Sequence, residues 1–154
     1  MKVTFFFGVL LLGLFLVQAE AYTIVDAKYL TCYDGDTCTF AFPEWPEPFQ
    51  KISVRIRGLD APEIRGKCPK EVTMAMVARN TLRSALATSE HIELRRFEFG
   101  KDRYTRILAE VWVDGRNVAE LLIRKSLARP YDGGKRKGWC GEEKTKGGKT
   151  HVRR

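Results

Sequence analysis

A chain of 154 residues, 44% hydrophobic and 30% charged, is long enough for one domain and too polar for a multi-pass membrane protein. The charged fraction and the lack of any long low-complexity tract also exclude wholesale disorder. With 27 Lys and Arg against 19 Asp and Glu, the net charge is +8, which points to a polyanionic partner: nucleic acid, acidic glycan or anionic lipid.

The chain opens on Lys2 and an apolar run, Phe5 to Val17, that exits through Ala19-Glu20-Ala21. A basic start, a short apolar stretch and an A-x-A exit predict a secretory signal peptide over 1–21, cut after Ala21. The run falls short of the roughly 18 apolar residues that a membrane span needs. The expectation is therefore a periplasmic or secreted protein, 22–154, with no membrane anchor once the leader is removed.

Residues 23–32 are rich in β-branched and aromatic side chains and predict a strand, and Tyr33-Asp34-Gly35-Asp36 a turn. Residues 37–42 resume the extended pattern before a Pro-rich loop, Pro43–Pro48, that suits neither strand interior nor helix. Over 51–57 the alternation is strict, with Ile52, Val54 and Ile56 on one face and Ser53, Arg55 and Arg57 on the other. Pro69 is placed to open a helix that runs to about Ala87, with Val72, Ala75, Met76, Leu82 and Leu86 as its core stripe. Residues 91–99 and 106–113 predict two more strands, and Asp114-Gly115 marks a tight turn. Asn117 can cap a last helix, 118–127, that buries Leu121 and Leu122.

Three strands, a helix, two strands and a helix fit an α+β, mainly β architecture better than a parallel α/β sheet. The expected fold is a five-stranded OB-fold Greek-key barrel with two helices, over 22–132. The remainder, 133–154, is Gly-rich and carries eight bases against Glu142 and Glu143, a net charge of +6 that leaves only +2 on the body. It reads either as an arm that grips phosphates, beginning with Lys135, Arg136 and Lys137, or as a solvated tail.

All four cysteines, Cys32, Cys38, Cys68 and Cys140, lie downstream of the leader, and an even count in an exported protein favours disulfides. Four cysteines allow three connectivities. Cys32 and Cys38 flank the first turn and could face each other across a hairpin; Cys68 and Cys140 would then pair and tether the tail. A zinc site is the weaker alternative, because no C-x2-C spacing occurs.

Three acids stand at structure-breaking positions: Asp36 in the first turn, then Asp60 and Glu63 in Gly58–Glu63. Any one of them could simply bond its own backbone, as turn carboxylates do. Together with Arg55 and Arg106 they make a more informative set. Two Asp carboxylates and a loop carbonyl are hard oxygen ligands suited to Ca²⁺ or Mg²⁺. A third carboxylate can take a proton from water, and paired guanidinium forks match the oxygens of a phosphate. These are the parts needed to hydrolyse a phosphodiester.

The segments Asp34–Thr37 (DGDT), Val54–Glu63 (VRIRGLDAPE), Asp102–Ala109 (DRYTRILA) and Val113–Ala128 (VDGRNVAELLIRKSLA) resemble the staphylococcal nuclease family, in the family's order, over about residues 23–131. The resemblance implies a Ca²⁺-dependent endonuclease on an OB barrel, cutting DNA and RNA with little sequence preference and leaving 3′-phosphate ends. It implies Asp36, Asp60 and the carbonyl of Ala61 as metal ligands, Glu63 as general base, and Arg55 and Arg106 as the phosphate clamp. Tyr104 and Tyr131 fall near nucleotide-contacting positions. The sequence departs from the best-known member at Ala61 (Thr there), at Thr105 (commonly Gly), in its four cysteines and in the missing third helix. A monomer acting on DNA and RNA is expected; a catalytically inactive OB-fold nucleic-acid-binding protein is the alternative.

Overall fold

The computed structural model describes residues 24–99 and 106–141. The predicted leader 1–21, Tyr104 and Thr105, and the tail beyond 141 lie outside them.

The strands are β1 (Ile24–Val25), β2 (Lys28–Cys32), β3 (Thr37–Ala41), β4 (Lys51–Ile56), β5 (Gly58–Asp60), β6 (Ile92–Phe99), β7 (Ile107–Val113), β8 (Arg116–Asn117) and β9 (Arg129–Tyr131). The helices are α1 (Pro69–Ala87) and α2 (Val118–Arg124). Pairing runs β1-β6-β7-β4-β3-β2. Because β1 and β2 are consecutive halves of one strand, that order returns to its start and closes a barrel. The predicted first strand is thus a single strand bent in two, and the bend is at Asp26, whose φ of 69° breaks the extended run. Every neighbouring pair is antiparallel except β4 and β7, which run parallel with Val54 opposite Ile107. This is the expected five-stranded OB barrel, with the short β5, β8 and β9 added.

The alternation read over 51–57 fills the interior: Val54 and Ile56 are buried with Leu94, Ile107, Ala109 and Val111 from β6 and β7. Pro69 opens α1 as expected, and Ala75, Leu82 and Leu86 pack inward. Met76 does not; it is 45% exposed, because the buried stripe passes through Ala78 instead. Asn117 caps α2 by accepting the Ala119 N–H at 2.8 Å. The helix ends at Arg124, three residues early. Ser126 turns left-handed with φ 57°, and the Leu127 N–H folds back to the Leu122 carbonyl at 2.9 Å. Leu122 is buried and Leu121 only half so.

The cysteines pair Cys32 with Cys38 and Cys68 with Cys140. That leaves no thiol for a zinc site. The second bridge also corrects the reading of all of 133–154 as an arm or a solvated tail. Its first residues return to the barrel, and Trp139 is only 8% exposed.

Candidate active site

The first carboxylate turn lies between β2 and β3, clamped at its base by the Cys32–Cys38 bridge. The Tyr33 N–H closes it onto the Thr37 carbonyl at 2.9 Å. Inside, Asp34 accepts the Asp36 N–H at 3.0 Å. Burial, and then the charge of Asp36 beside it, push the Asp34 carboxyl up to about 7. Asp36 is 3% exposed; its Oδ1 accepts from the Thr37 hydroxyl at 2.9 Å and its Oδ2 from the Ala61 N–H at 3.2 Å. Gly35 has no alternative here, since a Cβ would sit 2.8 Å from the methyls of both Ala61 and Ala78.

Asp60 comes from a different segment, the end of β5, where it pairs with Arg129 of β9. It is 4% exposed, and its Oδ2 accepts from the indole N–H of Trp139 at 3.3 Å. Its Oδ1 is buried, and no hydrogen bond reaches it among the described residues. The Nε of Arg136 is 3.1 Å away, an ion pair without hydrogen-bond alignment. That oxygen therefore faces the charge of Arg136 but accepts no hydrogen bond, and its lone pairs are open to a further hard cation. Two buried carboxylates, Asp36 held by the Ala61 N–H and Asp60 by the Trp139 indole, fit a hard divalent cation such as Ca²⁺.

The arginines converge on the same turn. Arg55, on β4, puts one Nη 2.7 Å from Asp36 Oδ2 and donates the other to the Leu59 carbonyl at 3.2 Å. Arg106 stands just before β7, the parallel neighbour of β4, and reaches the Thr37 hydroxyl at 3.4 Å. Arg57, directly after β4, turns away from Arg55 to Glu98 at 2.8 Å. Glu63 lies in the loop after β5, half exposed, and its Oε1 is 2.5 Å from an Nη of Arg136. Burial works against the charge on Arg136, but the hydrogen bond to Glu63 and the charges of Asp36, Asp60 and Glu63 outweigh it and hold the guanidinium more firmly protonated than usual.

Asp36, Asp60, Ala61, Glu63, Arg55, Arg106 and Arg136 are therefore brought to one place. Tyr131 stands on the rim, its hydroxyl on the Gly134 carbonyl at 2.8 Å, and lines a cleft of about 580 Å³ with Arg55, Arg57, Arg96 and Arg136. Lys135 and Lys137 face solvent. Two partners escaped the sequence reading. Trp139 was legible only as an aromatic residue beside Cys140 in a polar stretch. It is seated by Arg129, whose guanidinium lies 3.7 Å over its ring and which donates to the Gly138 carbonyl at 3.0 Å. Glu71, on α1, is a buried acid that the apolar stripe could not reveal.

A family model described as staphylococcal nuclease homologue matches residues 53–145, more than half of the chain. The chain belongs to that family. Among similar proteins, the Staphylococcal-like nuclease CAN1 of Arabidopsis thaliana is 25% identical over 117 residues, covering 74% of this chain and 32% of that protein. The Probable staphylococcal-like nuclease CAN1 of Oryza sativa subsp. japonica is 31% identical over 85 residues, covering 53% of this chain and 22% of that protein. This staphylococcal nuclease homologue spans a third or less of the length of those two relatives. The matched region holds Arg55, Asp60, Glu63, Arg106 and the whole segment from β9 to Cys140; the Asp36 turn lies upstream of it.

Proposed function

We propose that this protein is an exported, Ca²⁺-dependent endonuclease that hydrolyses phosphodiester bonds of DNA and RNA with little sequence preference and leaves 3′-phosphate ends. The observation that carries the reading is the convergence of Arg55 and Arg106 on the turn of a buried Asp36, beside an Asp60 oxygen without a hydrogen bond. Nuclease relatives and two disulfides, suited to an oxidising compartment, support it.

In this reading Asp36, Asp60 and the carbonyl of Ala61 hold Ca²⁺, which when bound supplies Lewis-acid polarisation of a phosphoryl oxygen. Glu63 takes the proton of a water that attacks phosphorus in line, worth about 10²–10⁴-fold, while the opposite P–O5′ bond breaks and the 5′ oxygen leaves, taking a proton from solvent. Arg55 and Arg106 neutralise the charge that grows on the non-bridging oxygens. Arg136 offers a further cation to the phosphate backbone, with Tyr131 beside it as a surface for a base. Contacts to phosphate dominate this site, and phosphate carries no sequence information.

The test is cleavage of plasmid DNA and of RNA by the oxidised protein with Ca²⁺, with Mg²⁺ and with chelator, beside Glu63→Ala. Ca²⁺-dependent cutting that disappears in the variant is the expected result. Binding without cutting under every ion would refute the enzyme and leave an OB-fold binding protein.

A further inference from the structure

The segment that carries Glu63 has no regular structure. β5 ends at Asp60, α1 begins at Pro69, and the residues between them must be held by side chains. The N-cap of α1 is Cys68, whose side chain is committed to the disulfide and makes no capping hydrogen bond. Glu71 stands at the third helical position, from which a glutamate ordinarily reaches back to the amide of the N-cap residue. Here it reaches farther. Its Oε2 accepts the Lys67 N–H at 2.8 Å, and its Oε1 faces the N–H of Glu63 itself at 3.5 Å, the long limit of a hydrogen bond.

The carboxylate is 7% exposed, and the loop is wrapped around it. A Cβ on Gly66 would lie 2.6 Å and 2.7 Å from Cγ and Cδ of Glu71, and 2.9 Å from the Glu63 carbonyl. On the other side the Cys140 sulfur lies 3.5 Å from Oε2. Burying a carboxylate is costly, and capping a helix does not require it. What the burial does achieve is to fix both ends of the Glu63–Lys67 loop to one rigid helix turn.

We infer that Glu71 is a positioning residue, holding the backbone beneath Glu63 so that this carboxylate keeps its station beside Asp36 and Asp60. The inference rests on the reading of Glu63 as general base. Reacting groups must be placed within about 0.5 Å, and a displacement of about 1 Å can cost about 10²-fold in rate.

Glu71→Gln keeps the shape but turns one acceptor into a donor, so it cannot serve both amides. Single-turnover rates on a short oligonucleotide with Ca²⁺ are compared for the unmodified protein, Glu71→Gln, Glu63→Ala and the double variant, far below the melting temperature of each. Calorimetric Ca²⁺ titration runs alongside. The expected result for Glu71→Gln is a rate lower by about 10²-fold, Ca²⁺ affinity within about twofold, and no further loss when it is added to Glu63→Ala. An unchanged rate per folded molecule, or an equal loss in both backgrounds, would overturn the inference and leave Glu71 as a helix cap. Turnover retained by Glu63→Ala would instead overturn the base reading, and this inference with it. If Glu71→Gln does not fold, Gly66→Ala displaces the same carboxylate from the loop side. It should show the same loss confined to the Glu63 background, and a rate unchanged from the unmodified protein would be decisive against us.

Discussion

The two disulfides should differ in what they contribute to stability, because they close loops of very different length. Cys32–Cys38 spans a sequence separation of 6, and Cys68–Cys140 one of 72. A cross-link removes conformational freedom from the unfolded chain in proportion to the logarithm of the loop it closes. The short bridge is then worth about 2 kcal/mol and the long one about 4 kcal/mol. At roughly 4 °C per kcal/mol for a domain of this size, Cys68→Ser/Cys140→Ser should melt about 15 °C lower and Cys32→Ser/Cys38→Ser about half that. The assay is thermal unfolding by circular dichroism, with urea titration at 25 °C to give free energies, each variant in the absence of Ca²⁺. Equal losses, or a larger loss from the short bridge, would refute the loop-length argument. The stability of the pair would then come from local contacts such as the turn around Asp34.

Asp34 sets a pH dependence whose sign follows from its raised pKa of about 7 against an ordinary 3.8. Between these values the unfolded chain gives up a proton that the folded one keeps, so stability falls as pH rises through the window. Asp34→Asn, which keeps an acceptor for the Asp36 N–H, should flatten that slope and add up to about 4 kcal/mol near pH 8 without Ca²⁺. Identical slopes in urea titrations across the window would refute this. Arg55→Lys should lower kcat by about 10²–10³-fold, since a single ammonium cannot span Asp36 and Leu59 as the fork does; near-native turnover on a short oligonucleotide would remove Arg55 from the chemistry. Trp139→Phe removes the hydrogen bond to Asp60 Oδ2 and should weaken Ca²⁺ binding by about 10–100-fold, and an unchanged calorimetric Kd would show that this contact orients nothing.

What could be read from the sequence was what repeats or what is local. The period of two over β4 gave both the core face and the opposite, polar side of Arg55. Pro69, Asn117 and Asp114-Gly115 gave boundaries, because each acts through its own backbone; Asp114 and Gly115 both take positive φ, 47° and 74°. The bend at Asp26 was hidden, since a left-handed residue in an otherwise extended run depends on the different strands, β6 and β3, that its two halves must pair. The short β5 and β9 were hidden for a similar reason: three residues paired with three others some 70 positions away leave no pattern in either. At the candidate site, the side chains to which the proposal gives a chemical role stood out by type and spacing. Those that hold others in place did not. Trp139 and Glu71 acquire meaning only when a bridge brings Cys140 to Cys68.

The contact at Gly35 has a consequence for which ion this protein could use. The turn of Asp36 and the segment of Asp60 meet through hydrogen, methyl and methyl, Gly35 against Ala61 and Ala78, with no slack for another carbon. That close approach limits from behind how near the turn and the Asp60 segment can come. Ca²⁺ accepts oxygens at about 2.3–2.6 Å in loose geometries, whereas Mg²⁺ demands about 2.0–2.1 Å in an octahedron. Any closing of the two acids around a smaller ion would work against that contact. In the proposed site that limit falls to three small residues, Gly35, Ala61 and Ala78, of which only Ala61 would also meet the ion, through its carbonyl.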